Sequence, residues 1–236
     1  MIVTNEPRLC TVRIDCEPND FAMNDLEKIT SVRIKRRVGT NGQLSTIGEI
    51  EIANKTELSF SVRDITAMSH TKYRYYVIPV IGDKEAVGTY EDVESVFSAY
   101  FIGNLNQQYV CALNARCERA LHYGMSYVQT FYRQFPHAIQ NGNMKYNTGN
   151  FSGLFLDRDE NGEFTKDNAR MFKEQMMDFL SDGSQKIIKT GEGNLWHVQI
   201  NGEIKENWSD FIGASTISFE WTEVGPMTDK GIVVVE

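Results

Sequence analysis

The side chains able to do chemistry are few and scattered. The four histidines, His70, His122, His137 and His197, never stand four residues apart, so no H-E-x-x-H zinc helix is formed. No G-x-S-x-G elbow marks a nucleophilic serine, and no G-x-x-x-x-G-K-[ST] or G-x-G-x-x-G segment offers a phosphate cradle. The cysteines Cys10, Cys16, Cys111 and Cys117 fall in two pairs spaced by six, too wide for a zinc knuckle, and read as reduced thiols, mostly buried. The acidic residues are spread out, and nothing marks the carboxylate pair of a glycosidase. One segment does have ligand spacing. Asp157, Asp159 and Asn161 occupy positions 1, 3 and 5 of a calcium loop, with Gly162 at position 6 and Thr165 at position 9. Position 12 is Asn168, where a bidentate Glu is usual, and the segment before it reads as a strand. The other reading is an acidic Asn-Gly turn entering a helix, so no metal and no cofactor is assigned. A basic cluster, Arg33, Lys35, Arg36 and Arg37, either meets an acidic partner or pairs with acids on its own solvated face.

The elements that must carry these residues are mostly strands. The chain has 236 residues with a net charge of −8, which argues against a general nucleic-acid binder. No apolar run approaches the ~18 residues of a membrane helix, so no membrane contact is expected. The opening MIVTNEPRLC lacks the charged and apolar regions of a signal peptide, so conventional export is not expected either. In Ser31–Val38, Val32, Ile34, Arg36 and Val38 face one way and Arg33, Lys35 and Arg37 the other, with Asn41-Gly42 signalling a turn. Glu57–Arg63 alternates strictly; Lys72–Ile81 is rich in Tyr and Val; Val93–Ile102 alternates again. Strands at this spacing indicate a β-sandwich. Further on, Gln108–Leu113 and Ser126–Tyr132 read as extended. Asn141-Gly142 reads as a turn, and Met144–Asn150 with Gly153–Leu156 as a hairpin. Ala169, Phe172, Met176, Phe179 and Leu180 fall at helical spacing, which predicts a helix over 166–182 capped by Thr165 or Asp167 and stopped at Gly183. Strands at Gln185–Lys189, Leu195–Ile200 and Thr216–Glu223 follow, and Asn201-Gly202 signals a hairpin into Glu203–Asn207.

The run Phe60-Ser-Val-Arg-Asp64, Thr66-Ala67-Met68-Ser69 and Tyr73-Arg-Tyr75-Tyr76-Val77 resembles a fibronectin type III domain over about residues 8–103. The resemblance implies a tyrosine corner made by Tyr73 or Tyr75. Tyr146-Asn-Thr-Gly149, Phe179-Leu180 with Gly183, Lys186-Ile-Ile-Lys189 and Glu220-Trp221-Thr222-Glu223-Val224-Gly225 follow one another in an order similar to phage tail structural proteins, in particular the distal tail and baseplate ring family. Together these imply a mainly β chain with a fibronectin-like sandwich over 1–103. Over 104–236 they imply a ring-building β-sandwich or split barrel with one flanking helix. The resemblance further implies a non-enzymatic virion protein of the tail, present in the host cytoplasm during assembly. It would form a homo-oligomeric ring, expected to be a hexamer, and would contact the tail tube and tail-tip hub. Trp208, Phe211, Arg33, Lys35 and Arg37 are the candidate contacts. The alternatives are a carbohydrate-binding module using Trp196, Trp208 or Trp221, a tail tube or tail-completion protein, and, last, a cell-wall hydrolase attached to a tail.

Overall fold

The computed structural model describes residues 1–21, 26–111, 113–159, 163, 169–208, 215–226 and 231–235, without the side chains of 141, 169, 170, 208 and 215. The chain is mainly β, with three antiparallel sheets and one α-helix among the described residues. β1 (Ile2–Glu6), β2 (Thr11–Cys16), β5 (Phe60–Asp64) and β17 (Ile232–Val234) make the first sheet, in the order β1-β2-β5-β17. β3 (Ile29–Val38), β4 (Leu44–Glu51) and β6 (Thr71–Ile81) make the second, in the order β4-β3-β6. The far edge of β6 carries β7 (Lys84–Glu85) and β8 (Thr89–Ser95). The period of two puts Val12, Ile14 and Val62 on the inner face of one sheet and Val32, Ile34, Tyr75 and Val77 on the inner face of the other; all are fully buried. The Tyr73 hydroxyl accepts the Met68 N–H at 2.9 Å, tying β6 to the loop before it.

The alternating run Val93–Ile102 turns out to be two strands. β8 ends at Ser95 in the second sheet, and β9 (Tyr100–Gly103) lies in the third. At the crossing, the Ser69 hydroxyl donates to the Phe97 carbonyl at 2.7 Å and accepts the Phe97 N–H at 2.9 Å. Alternation hides such a crossing, because the buried odd-numbered positions Ser95, Phe97, Ala99 and Phe101 run straight through it. The third sheet runs β10 (Gln108–Cys111), β9, β14 (Lys186–Lys189), β15 (Leu195–Trp208), β16 (Ser215–Gly225), β13 (His137–Leu154), β11 (Leu113–Cys117), with β12 (Ala120–Val128) paired to the outer reach of β13. Helix α1 (Ala169–Ser181) lays Met176, Phe179 and Leu180 into a core with Phe151, Trp196, Phe219 and Trp221. Gly183, with φ +76°, follows it as a left-handed stop. Thr165 and Asp167, the expected caps, lie outside the described residues. Tyr100–Gly103 thus pairs in the larger sheet, while Ile232–Val234 returns to the first.

Of the four Asn-Gly pairs, Asn161-Gly162 lies outside the described residues, and the other three have two different fates. Asn41-Gly42 lies in the turn joining β3 to β4, where the Gly42 N–H donates to the Val38 carbonyl at 3.1 Å. The other two, expected as turns, sit inside long strands. Pairing of β12 with β13 steps from Tyr123↔Lys145 to Met125↔Gln140, and pairing of β15 with β16 from Asn201↔Glu220 to Lys205↔Ser218. Gly142 (φ +67°) and Gly202 (φ +65°) take the left-handed backbone that lets extra residues leave a ladder without ending it. Met144–Leu154 is therefore part of one strand, and so is Leu195–Asn207.

A smaller cluster joins the first sandwich to the larger sheet: Cys10, Ile65 and Phe97 against Phe101, Val110 and Ile187. Lys189, fully buried, crosses this junction and donates to the carbonyls of Cys10 and Ala67, beneath the ring of Phe101 at 4.4 Å. Burial pushes its ammonium down to about 8, against the partial support of Cys10 and Asp64 and with Arg36 adding to the drop. Below pH 8 the folded and unfolded chains both carry this proton, and the cost of burying the cation is fully present. Between pH 8 and about 10.5 the folded chain sheds it first, so this group makes stability rise with pH, by up to about 3 kcal/mol. The four thiols, all raised chiefly by burial, pull the other way above pH 9. The difference in urea stability between the wild type and Lys189→Met is accordingly expected to shift between pH 7.5 and 9, with the wild type gaining relative to the variant. Parallel curves would show that the buried amine does not titrate there.

Candidate assembly interface

Residues 119–146 stand apart in composition: Arg119, Arg133 and Lys145 are cationic, and the segment has no acid. The remaining 208 residues hold 21 basic and 32 acidic side chains, a charge of −11. Within the segment Leu121, Tyr123, Met125 and Tyr127 alternate with His122, Gly124 and Ser126, which is the pattern of a strand with one buried face. The structure pairs this strand, β12, with His137–Thr148 of β13. Among the described residues nothing covers the apolar face: Tyr123 is 60% and Tyr127 68% exposed, and Leu121 and Met125 are exposed as well.

The base of this ribbon is firm and its outer part free-standing. From Thr148 to Leu154, β13 is flanked by β16 on one side, and from Phe151 to Leu154 by β11 on the other. The Asn147 N–H and side-chain amide donate to the Glu223 carboxylate, closing the base. Beyond it, β13 pairs with β12 alone, and two strands reach out on the order of 30 Å. The connection 129–136 carries Phe131, 94% exposed, Phe135, 75% exposed, and Tyr132, wholly exposed. An isolated two-stranded ribbon is marginal in water. Aromatic side chains concentrated on such a ribbon form a surface built to be covered.

The residues singled out from sequence lie elsewhere. Arg33 pairs with Glu49 and Glu85, both at 3.1 Å, and Lys35 with Glu85 at 2.7 Å, so this basic face of β3 is matched by its own neighbours. Arg37 stacks on Tyr76, 5.7 Å from the ring centre. Arg36 points inward, to Asp64. Trp208 ends β15, its backbone paired with Ser215, and its side chain is outside the description; Phe211 lies outside the described residues altogether. Trp196 and Trp221 are buried and stacked on one another at 5.1 Å, which removes both as platforms for a sugar ring. Asp157 accepts the N–H of Arg158, and Asp159 closes a turn with Glu163 through two hydrogen bonds. Asn161 and Asn168 lie outside the described residues. Among those described, no group of three or more His, Cys, Asp or Glu side chains could hold a metal ion. The ribbon was legible from the alternation of Leu121–Tyr127 and from the missing acids, two signals that a search for catalytic residues passes over.

No family model matches the chain, and no curated protein does. Among solved structures, it is similar to a chain of the virion of a native gene transfer agent particle and to a chain of the tail of an empty gene transfer agent particle with C6 symmetry. Each is 12% identical, with 58% of this chain and 95% of the other covered and a TM-score of 0.33, a likeness too low to carry an argument.

Proposed function

We propose that the chain is a structural protein of a bacteriophage tail whose identical copies close into a ring at the distal tail or baseplate. The observation that carries this reading is the ribbon of β12 and β13, whose apolar face and aromatic tip are bare in the single chain. A second copy suits it, because a cationic, acid-free arm and an otherwise acidic chain attract one another. Heterologous contact of one surface with a different surface on the next copy generates a closed ring when the rotation allows it. A hexamer, with tail tube and tail-tip hub as neighbours, is the form suggested by the sequence resemblance over 104–225. Support for a fibronectin type III-like first unit comes from the two facing sheets and the Tyr73–Met68 hydrogen bond, which has the form of a tyrosine corner. The division proposed is a sandwich near 1–103 and a ring-building unit over 104–236, with β17 reaching back to the first.

The test is mass by light scattering after gel filtration over a concentration series, with imaging of the largest species. A mass rising from 26.9 kDa to a closed multiple, and falling again with added salt, is expected. A 26.9 kDa monomer at every concentration that also fails to join isolated tail parts overturns the reading.

A further inference from the structure

β17 sits in a shaped seat. Ile232, Val233 and Val234 pair with Asp64, Arg63 and Val62 of β5. Beyond the ladder, the Ile65 N–H donates to the Gly231 carbonyl at 2.8 Å and the Val235 N–H to the Ser61 carbonyl at 2.9 Å. The Gly231 N–H donates across to the Ile47 carbonyl of β4 at 3.1 Å. The strand thus plugs the gap between the two sheets of the sandwich. The fit is close on both sides: a Cβ on Gly48 would lie 3.0 Å from the Ile232 side chain, and one on Gly231 would lie 2.2 Å from Thr66. Ile232 packs on the sandwich core and Val233 on the junction cluster.

We propose that this seat is a strand-exchange site, in which the Gly231–Val235 strand of one copy occupies the edge of β5 in a second copy when the chains assemble. The proposal rests on the homo-oligomeric reading above. Three observations favour it. The occupant is a three-residue strand, so it is held by few ladder bonds and opens at low cost relative to global unfolding. Its sequence, Ile232-Val-Val-Val235, is all β-branched and pairs readily with any free edge. The vacated edge of β5 presents a row of unpaired N–H and C=O groups, a template that takes up any strand of suitable sequence brought to it. Exchange keeps every bond of the closed chain and turns those same non-covalent bonds into links between copies. Five residues separate Gly225 from Gly231 and span at most about 20 Å, so the receiving seat must lie within that reach of the end of β16.

Mixing chains that each carry one added cysteine tests this, with the wild type as control for the four native thiols. Arg63 and Val233 are direct cross-strand partners, a separation suited to a disulfide. Arg63→Cys and Val233→Cys are prepared in separate chains and together in one. Under mild oxidation the double variant, diluted below the assembly concentration, is expected to close within each chain, which verifies the seat. Mixed single variants, assembled at high concentration, are expected to yield a linked pair at least tenfold above the wild type. An assembled mixture with no linked pair, while the double variant in the same assembly closes within each chain, overturns the exchange and leaves the ring standing. A linked pair in a species that scatters as a dimer keeps the exchange and overturns the ring.

Discussion

Asp64→Ala is expected to cost about 3–5 kcal/mol of stability, because it strips the partner from a buried cation. At roughly 2–4 °C per kcal/mol for a chain of this size, the melting temperature should fall by about 6–20 °C. The carboxylate is fully buried between the sheets of the first sandwich. One oxygen accepts from Arg36 at 2.6 Å and from the Tyr75 hydroxyl at 2.7 Å; the other accepts the Thr66 N–H at 2.8 Å and the Thr66 hydroxyl at 2.7 Å. The Arg36 guanidinium also lies over the Tyr73 ring, 4.9 Å from its centre, so one carboxylate orders both Tyr73 and Tyr75 of β6. Burial alone would raise the Asp64 pKa; Arg36 and the Thr66 and Tyr75 hydrogen bonds outweigh it and hold the group below the ordinary carboxylate range. A lowered folded pKa means that the stability this group confers is complete above the unfolded value and is lost as pH falls through the folded one. Urea titrations of the wild type and Asp64→Ala at pH 7 and pH 3 check both points. The gap should narrow at pH 3, and a gap below 1 kcal/mol at pH 7 would sink the argument. Replacing the pair together, as Arg36→Met with Asp64→Leu, should cost less than Asp64→Ala alone, since no charge is then left unpaired.

The second large effect is on assembly and should leave the fold alone. Tyr127→Ser, Phe131→Ser and Phe135→Ser, combined, are expected to weaken association by at least about a thousandfold, taking roughly 1.5–2 kcal/mol per covered aromatic. The three side chains are exposed in the single chain, so its circular dichroism and melting temperature should match the wild type. Light scattering and thermal melting on one preparation separate the outcomes. Loss of the large species with an unchanged melt supports the ribbon as the contact. An unchanged assembly shows that copies meet elsewhere.

Much of the sandwich was readable because its strands have one wet face and one dry one. Val32, Ile34, Val62, Tyr75 and Val77 declare themselves by alternation, and α1 does so by its apolar spacing at Phe172, Met176, Phe179 and Leu180. Three kinds of feature stayed hidden. An Asn-Gly pair announces a left-handed glycine but not whether the ladder ends or only bulges there, and Gly142 and Gly202 bulge. Lysines at both ends of Lys186–Lys189 suggest a strand rim, yet both are buried: Lys186 is held by Asp182 at 2.6 Å and by Ser184, and Lys189 by two carbonyls. Those partners are set by tertiary contact and leave no local pattern. The ribbon misled in a different way. Its alternation promises a buried face, and among the described residues nothing is there to bury it against.

β17 also bears on the order in which the molecule comes into being. Ile232 pairs with Asp64 across 168 positions of sequence, so on a ribosome the first sheet waits for its edge strand until the entire third sheet has been made. Throughout that interval β5 offers an unguarded edge, and nascent chains held close together on one message are exposed to one another there. A chain truncated after Gly225 would keep that immature edge for its whole lifetime, and aggregation during synthesis would be its first symptom.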